Sequence, residues 1–328
     1  MNKDNLFKIL NGSGLTAILR SRKKNSITVL SLHRISPVND FFWNPMKPET
    51  FRSLLIYLQK NYHVISFSDI PDILKKRASS KPYAVISFDD GYYDFYEYAM
   101  PLLLQYKLPA NHNIVNACAE NNMVIWTQRL NFIFDHCRQN NIGLAFENTD
   151  LHFTLENFNG NWMSYYLTVY KWMLTLPMAQ RLGLITSHEQ LLSITPAIKM
   201  MNWQQVAECA AKGIEIGSHT YSHDVLSTIT DEAVLQQEIV QSALEIQQKI
   251  NKKINILALP NGEGHEGLAA LLTGSDIEYV LYVGEKINAI AQLNGPLRSM
   301  YRINLVEENY PAMVLRTELF HEKMKKYV

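Results

Sequence analysis

The sequence predicts an α/β fold, a parallel sheet covered by helices and either open or closed into a barrel. Three observations carry that prediction. Strand-like and helix-like periods alternate along much of the chain. One strand-like run, "YAVISF" at 83–88, is continuously apolar, the pattern of a strand covered on both faces. With 328 residues, 47% hydrophobic and 19% charged, the composition is that of a globular chain with length for one large α/β domain or two smaller ones.

The first element, "ITVLSLH" (27–33), is β-branched and apolar, a strand ending at His33. Phe51, Leu54, Leu55 and Leu58 follow helical spacing, and "HVISF" (63–67) returns to the strand pattern. After the strand 83–88, a helix is expected over 94–106, then a strand in "ANHNIV" (110–115). Asn202 caps a helix over 203–212, followed by the strand "IEIGSH" (214–219). Asp231 caps a longer helical segment with Leu235, Ile239, Ile246 and Ile250 in one stripe. The strands "INILALP" (254–260) and "IEYVLYVG" (277–284) follow, and repeated β-then-α units argue for parallel pairing. Residues 120–199 break the rhythm: rich in Trp, Tyr and Leu and without clear short strands, they read as a mostly helical insertion between two core strands. A helical segment at 1–26 and a helix at 307–328 complete the expected organisation.

Lys plus Arg and Asp plus Glu balance at 31 each, so no net field draws the chain toward nucleic acid. Cys118, Cys137 and Cys209 are widely spaced and odd in number, which fits a reducing compartment better than a disulfide framework. The N-terminus is a poor signal peptide, and no run approaches the roughly 18 apolar residues of a membrane span. A cytoplasmic location is the expectation. Leu6, Ile9, Leu10, Leu15, Ile18 and Leu19, followed by "RSRKK", leave a peripheral membrane contact open beside the simpler reading of a helix packed on the main domain.

Chemistry concentrates at strand ends. "VISFDDGYYD" (85–94) places Asp89 and Asp90 side by side just past an apolar strand, where two carboxylates need a cation, a shared proton or several donors. "GSHTYSHDVLS" follows another strand and carries His219 and His223 with three residues between them; a helical turn there would project both rings from one face. Alone, either motif reads as a cap or a structural pair. Together with His33 at a third strand end they converge on one region, because in a parallel sheet the carboxyl ends of all strands lie on one side. A cation held by Asp90, His219 and His223 would keep an open position, as catalytic sites do, and would leave Asp89 free to accept a proton from water. The same ligand set suits a 2-His-1-carboxylate Fe(II) oxygenase, although those enzymes usually use antiparallel double-sheet barrels. Trp126, Trp162, Trp172 and Tyr165 offer ring faces for sugars but read equally as core.

The succession of strand-"FDDG", "SHTYSH" and "LALPNG" resembles the polysaccharide deacetylase family, the NodB homology domain of carbohydrate esterase family 4, over residues 27–119 and 200–306. The resemblance implies a distorted (β/α) barrel of about seven repeats. It further implies zinc, or another divalent ion such as Co2+, Ni2+, Mn2+ or Fe2+, and hydrolysis of N-acetyl, or O-acetyl, groups on a saccharide. Such a substrate would be an oligosaccharide or polysaccharide, or a lipid-linked or nucleotide-linked precursor. Carried over by motif, Asp89 matches the catalytic base, Asp90 the metal carboxylate, and His219 and His223 the metal imidazoles. The late L-x-x-H motif that supplies an acid in many members has no match; His321 lies too far along. A subgroup acting on exopolysaccharides resembles the chain in an early segment like "SLHRIS", which makes His33 the candidate acid. Ala258 stands where an arginine commonly orients the base, so Arg302 in "YRIN" is a substitute partner for Asp89 or a surface charge. Pro260 and Gly262 match the variant third motif, and the backbone N–H of Asn261 is placed to donate to an oxyanion. The missing acid motif keeps a catalytically impaired carbohydrate-binding relative as the alternative.

Overall fold

The computed structural model describes residues 3–75, 79–147, 151–196 and 198–320. His321 and the end of the expected C-terminal helix lie outside the described residues. Seven parallel strands close into a barrel in simple chain order: β1 (Ser26–Leu32), β2 (Tyr83–Phe88), β3 (Asn111–Ile114), β4 (Glu215–Ser218), β5 (Ile256–Ala258), β6 (Tyr279–Val283) and β7 (Arg298–Asn304). The ring is uneven. β1 and β2 pair over six registered residues from Ile27–Tyr83 to Leu32–Phe88, whereas β4 meets β5 at the single pair Ser218–Leu257. β7 closes the circle by pairing with β6 on one side and β1 on the other.

Side chains alternate across each strand, so every second residue faces the interior of the barrel. Read from the amino to the carboxyl end, the inward column of β1 is Ile27, Val29, Ser31 and then His33. That of β2 is Tyr83, Val85, Ser87 and then Asp89. β7 contributes Met300, Arg302 and Asn304. The interior is therefore apolar below and polar above. Ile27, Val29, Val85, Ile256, Tyr279, Leu281 and Met300 form the lower core, plugged by Phe67, Ile70 and Ile73. Because the strands are parallel, all of their polar ends reach the same rim. The outward faces bury Leu30, Leu32, Ile86, Phe88, Leu257, Val280 and Ile303 against the surrounding helices.

Two expectations need correction, and one strand was not expected at all. "HVISF" is a strand only at His63–Val64, and its continuation becomes a 3-10 turn, Phe67–Asp69, that plugs the barrel floor. The insertion is not strand-free: Ala145–Glu147 and His152–Thr154 form a small antiparallel hairpin beside the helices Trp126–Asn140, Trp162–Met173 and Met178–Leu192. The strand β7 carries no clean apolar run, since its inward positions turn polar toward the rim, and its pattern conceals the element that closes the barrel. The N-terminal segment forms helices Lys3–Gly12 and Leu15–Ser21, the first packed against the helix Tyr310–Thr317. No described helix is long and apolar enough to cross a membrane. Cys118, Cys137 and Cys209 are buried free thiols.

The insertion leaves the barrel after β3 and packs back over its rim. Its own core, built on Trp126, Phe134, Tyr165 and Val169, also takes in Phe42 from the loop after β1 and Val225 from the loop after β4. Trp126 and Tyr165 are thus core residues, and Trp162 and Trp172 pack against them.

Candidate active site

At the carboxyl rim, Asp89 follows β2 with its side chain inward and almost fully buried. Arg302 Nη1 donates to its Oδ2 at 2.6 Å and Asn113 Nδ2 to its Oδ1 at 2.7 Å. Burial raises the carboxyl pKa, but Arg302, His219, His33 and the Asn113 hydrogen bond outweigh it and hold Asp89 well below the usual carboxylate range. The next residue cannot continue the strand. Asp90 takes φ +76, a left-handed conformation uncommon for a non-glycine residue, and this turns its carboxylate toward the loop after β4.

That loop is not helical, contrary to the expectation for His219 and His223. Thr220 and His223 have φ +67 and +61, and this irregular turn, rather than a helix face, brings the two ring centroids to 4.9 Å. Asp90 Oδ1 lies 3.3 Å from His219 Nε2 and 3.5 Å from His223 Nε2. His219 Nδ1 is 2.8 Å from the carbonyl oxygen of Ala258; donating to it leaves Nε2 as the lone-pair nitrogen. Burial lowers the pKa of His223 to about 4, so its ring is neutral. The ligand atoms of Asp90, His219 and His223 lie within 4.8 Å of one another, and Asp90 Oδ1 is buried without a hydrogen-bond partner. Two imidazoles and one carboxylate around an unsatisfied oxygen form a donor set that fits zinc or a similar divalent cation.

His33 also faces this hollow, its Nε2 4.0 Å from Asp89 Oδ2 and its ring edge-on to Trp43 at 5.1 Å. Burial holds its pKa below the ordinary histidine value, against the pull of Asp90 and Asp89. Pro260 is buried and opens the turn Pro260–Gly262, in which Asn261 has φ +55. Gly262 is obligatory there: at φ +73, a Cβ would fall 2.3 Å from Val283 Cβ. The cavity among these residues measures about 170 Å³. Two of its walls, Thr127 and Tyr170, come from the insertion.

The structure thus brings together His33, Asp89, Asp90, His219, His223, Asn261 and Arg302, while Pro260 is buried at the start of the turn that carries Asn261 and does not line the hollow. The structure also adds Asn113 and Tyr170, which no motif marked. Asn113 was detectable in principle, as a polar residue at an inward position of a short buried strand. Tyr170 was not, because nothing local in the insertion distinguishes it from its aromatic neighbours.

A closed parallel barrel whose rim gathers acids and imidazoles into one hollow defines an enzyme of the (β/α) barrel class. The match of a polysaccharide deacetylase family model to residues 76–280 makes the assignment narrower: the chain belongs to that family and is a carbohydrate deacetylase, a hydrolase. The iron oxygenase reading is thereby set aside. Among solved structures, the Streptococcus pyogenes deacetylase PplD in complex with acetate is similar, with 17% identity and a TM-score of 0.56 over 89% of this chain and 98% of that one. IcaB from Ammonifex degensii is 15% identical, with a TM-score of 0.57 over 90% and 97%. A de-N-acetylase from Aggregatibacter actinomycetemcomitans is 18% identical, with a TM-score of 0.51 over 86% and 95%. At these identities the likeness is one of fold. No curated protein sequence matches the chain.

Proposed function

We propose that the protein removes N-acetyl groups from an amino-sugar-containing saccharide in a reaction that depends on a divalent cation held by Asp90, His219 and His223. The observation that carries this reading is the buried, unpartnered Oδ1 of Asp90 facing two imidazole nitrogens, an arrangement costly without a cation. A divalent cation supplies Lewis-acid polarisation of the acyl carbonyl and acidification of water. Asp89, held outside that triad by Arg302 and Asn113, takes the proton of the attacking water. The backbone N–H of Asn261 donates to the acyl oxygen as negative charge develops. His33, across the hollow from Asp89, hands a proton to the departing nitrogen when its ring is in the imidazolium form. Acetate, the acid such a reaction releases, is bound in the complex of the structurally similar PplD.

The test is a panel of N-acetylated and O-acetylated saccharides incubated with zinc-loaded protein and read by mass spectrometry for loss of one acetyl group. Asp89→Asn is expected to abolish turnover with metal content nearly unchanged, and His219→Ala to lose both. Equal metal loss in the two variants would overturn the division of labour between the acids.

A further inference from the structure

The proposed reaction uses nothing from the insertion, yet the insertion reaches two loops of the active site. Tyr170, on the helix Trp162–Met173, donates from its hydroxyl to Asn261 Oδ1 at 2.8 Å. With Oδ1 engaged, the remaining polar group of the Asn261 side chain is Nδ2, which is buried and has no protein partner. Both residues line the cavity that contains Asp89 and Asp90. A buried amide nitrogen without an acceptor is rare enough to need a reason, and its position supplies one.

Tyr170 is itself fixed. Its ring stacks on Trp126, with centroids 5.6 Å apart and planes 16° from parallel, and the Arg181 guanidinium lies over Trp126 at 4.7 Å. Arg181 in turn pairs at 3.0 Å with Asp224, the residue after His223. The insertion therefore holds the turn after β5 and the loop after β4 through one connected set of contacts.

We propose that Tyr170 is a positioning residue of the active site: its phenol orients the Asn261 amide so that Nδ2 donates to an oxygen of the bound N-acyl saccharide. The substrate class rests on the deacetylase reading above; the positioning does not. Tyr170→Phe keeps the ring on Trp126 and deletes only the hydroxyl. With an N-acetylated chitin oligosaccharide, this variant is expected to lower kcat/KM about tenfold, the ordinary worth of one hydrogen bond. Zinc content and unfolding temperature stay at wild-type values. Asn261→Ala falls at least as far, and the double variant falls no further than Asn261→Ala. Additive losses, or a loss accompanied by lower zinc content or unfolding temperature, overturn the proposal. Calorimetric binding of the same oligosaccharide to Asp89→Asn protein separates the two readings. Binding that Tyr170→Phe weakens about tenfold, in a protein whose wild type releases no acetate, upholds the positioning role and overturns the hydrolase reading. Wild-type turnover and binding untouched by Tyr170→Phe do the reverse, and absence of both overturns both.

Discussion

Asp89 and Asp90 are neighbours in sequence with opposite surroundings, and the difference follows from backbone geometry. Asp89 keeps the inward phase of β2 and meets Arg302 and Asn113, whereas the left-handed turn at Asp90 sends the next carboxylate to two imidazoles. A hydrogen bond to a charged group is worth about 1.5–3 kcal/mol. Asn113→Ala is accordingly expected to reduce turnover by about tenfold or more while leaving metal content intact, measured by acetate release beside metal analysis. Unchanged turnover would mean that Asn113 does not position the carboxylate. Arg302→Met strands a buried carboxylate, and its expected cost is about 3–5 kcal/mol of stability, read from denaturant unfolding.

Strands supply the site with more than its side chains. Gly217, at an inward position of β4, leaves the space that Asn113 occupies: a Cβ there would stand 2.2 Å from Asn113 Oδ1 and 3.0 Å from Ile256 Cβ. Gly217→Ala is expected to displace Asn113 and reduce turnover at least as far as Asn113→Ala does. Full turnover in that variant would contradict the clamp. The element that eluded the sequence was β7, for the same reason that it matters: Arg302 and Asn304 face inward, and a strand that delivers polar groups to a site loses the apolar run by which strands are recognised. The strands "ITVLSLH" and "YAVISF" were legible because their inward residues stay apolar, aromatic or small until His33 and, just past the second strand, Asp89.

For the whole molecule, the insertion and the barrel share one core over the rim, where Phe42 and Val225 join the aromatic cluster around Phe134. The fully buried Arg181 fastens this join through Asp224 and the carbonyls of Met173 and Leu176. Breaking a buried pair leaves an uncompensated charge, so Arg181→Met is expected to cost about 3–5 kcal/mol in denaturant unfolding. The paired change Arg181→Met with Asp224→Asn should recover part of that loss. A cost below 1 kcal/mol for the single change would show the insertion to be held by apolar packing alone.

Local order alone determined that this chain alternates strands and helices, that acids and histidines stand just past strand ends, and that the spellings around Asp89 and His219 belong to deacetylases. Those are properties of short segments, and strand periodicity or a motif of a few residues expresses them fully. The tertiary structure decided which polar groups meet: Arg302 of the last strand with Asp89 across β1, Asn113 beside it, and Tyr170 with Asn261 from 91 residues away. Such pairings depend on the register of barrel closure and on how the insertion folds back. Both are set by the sum of many apolar contacts, and no single stretch of sequence carries that sum.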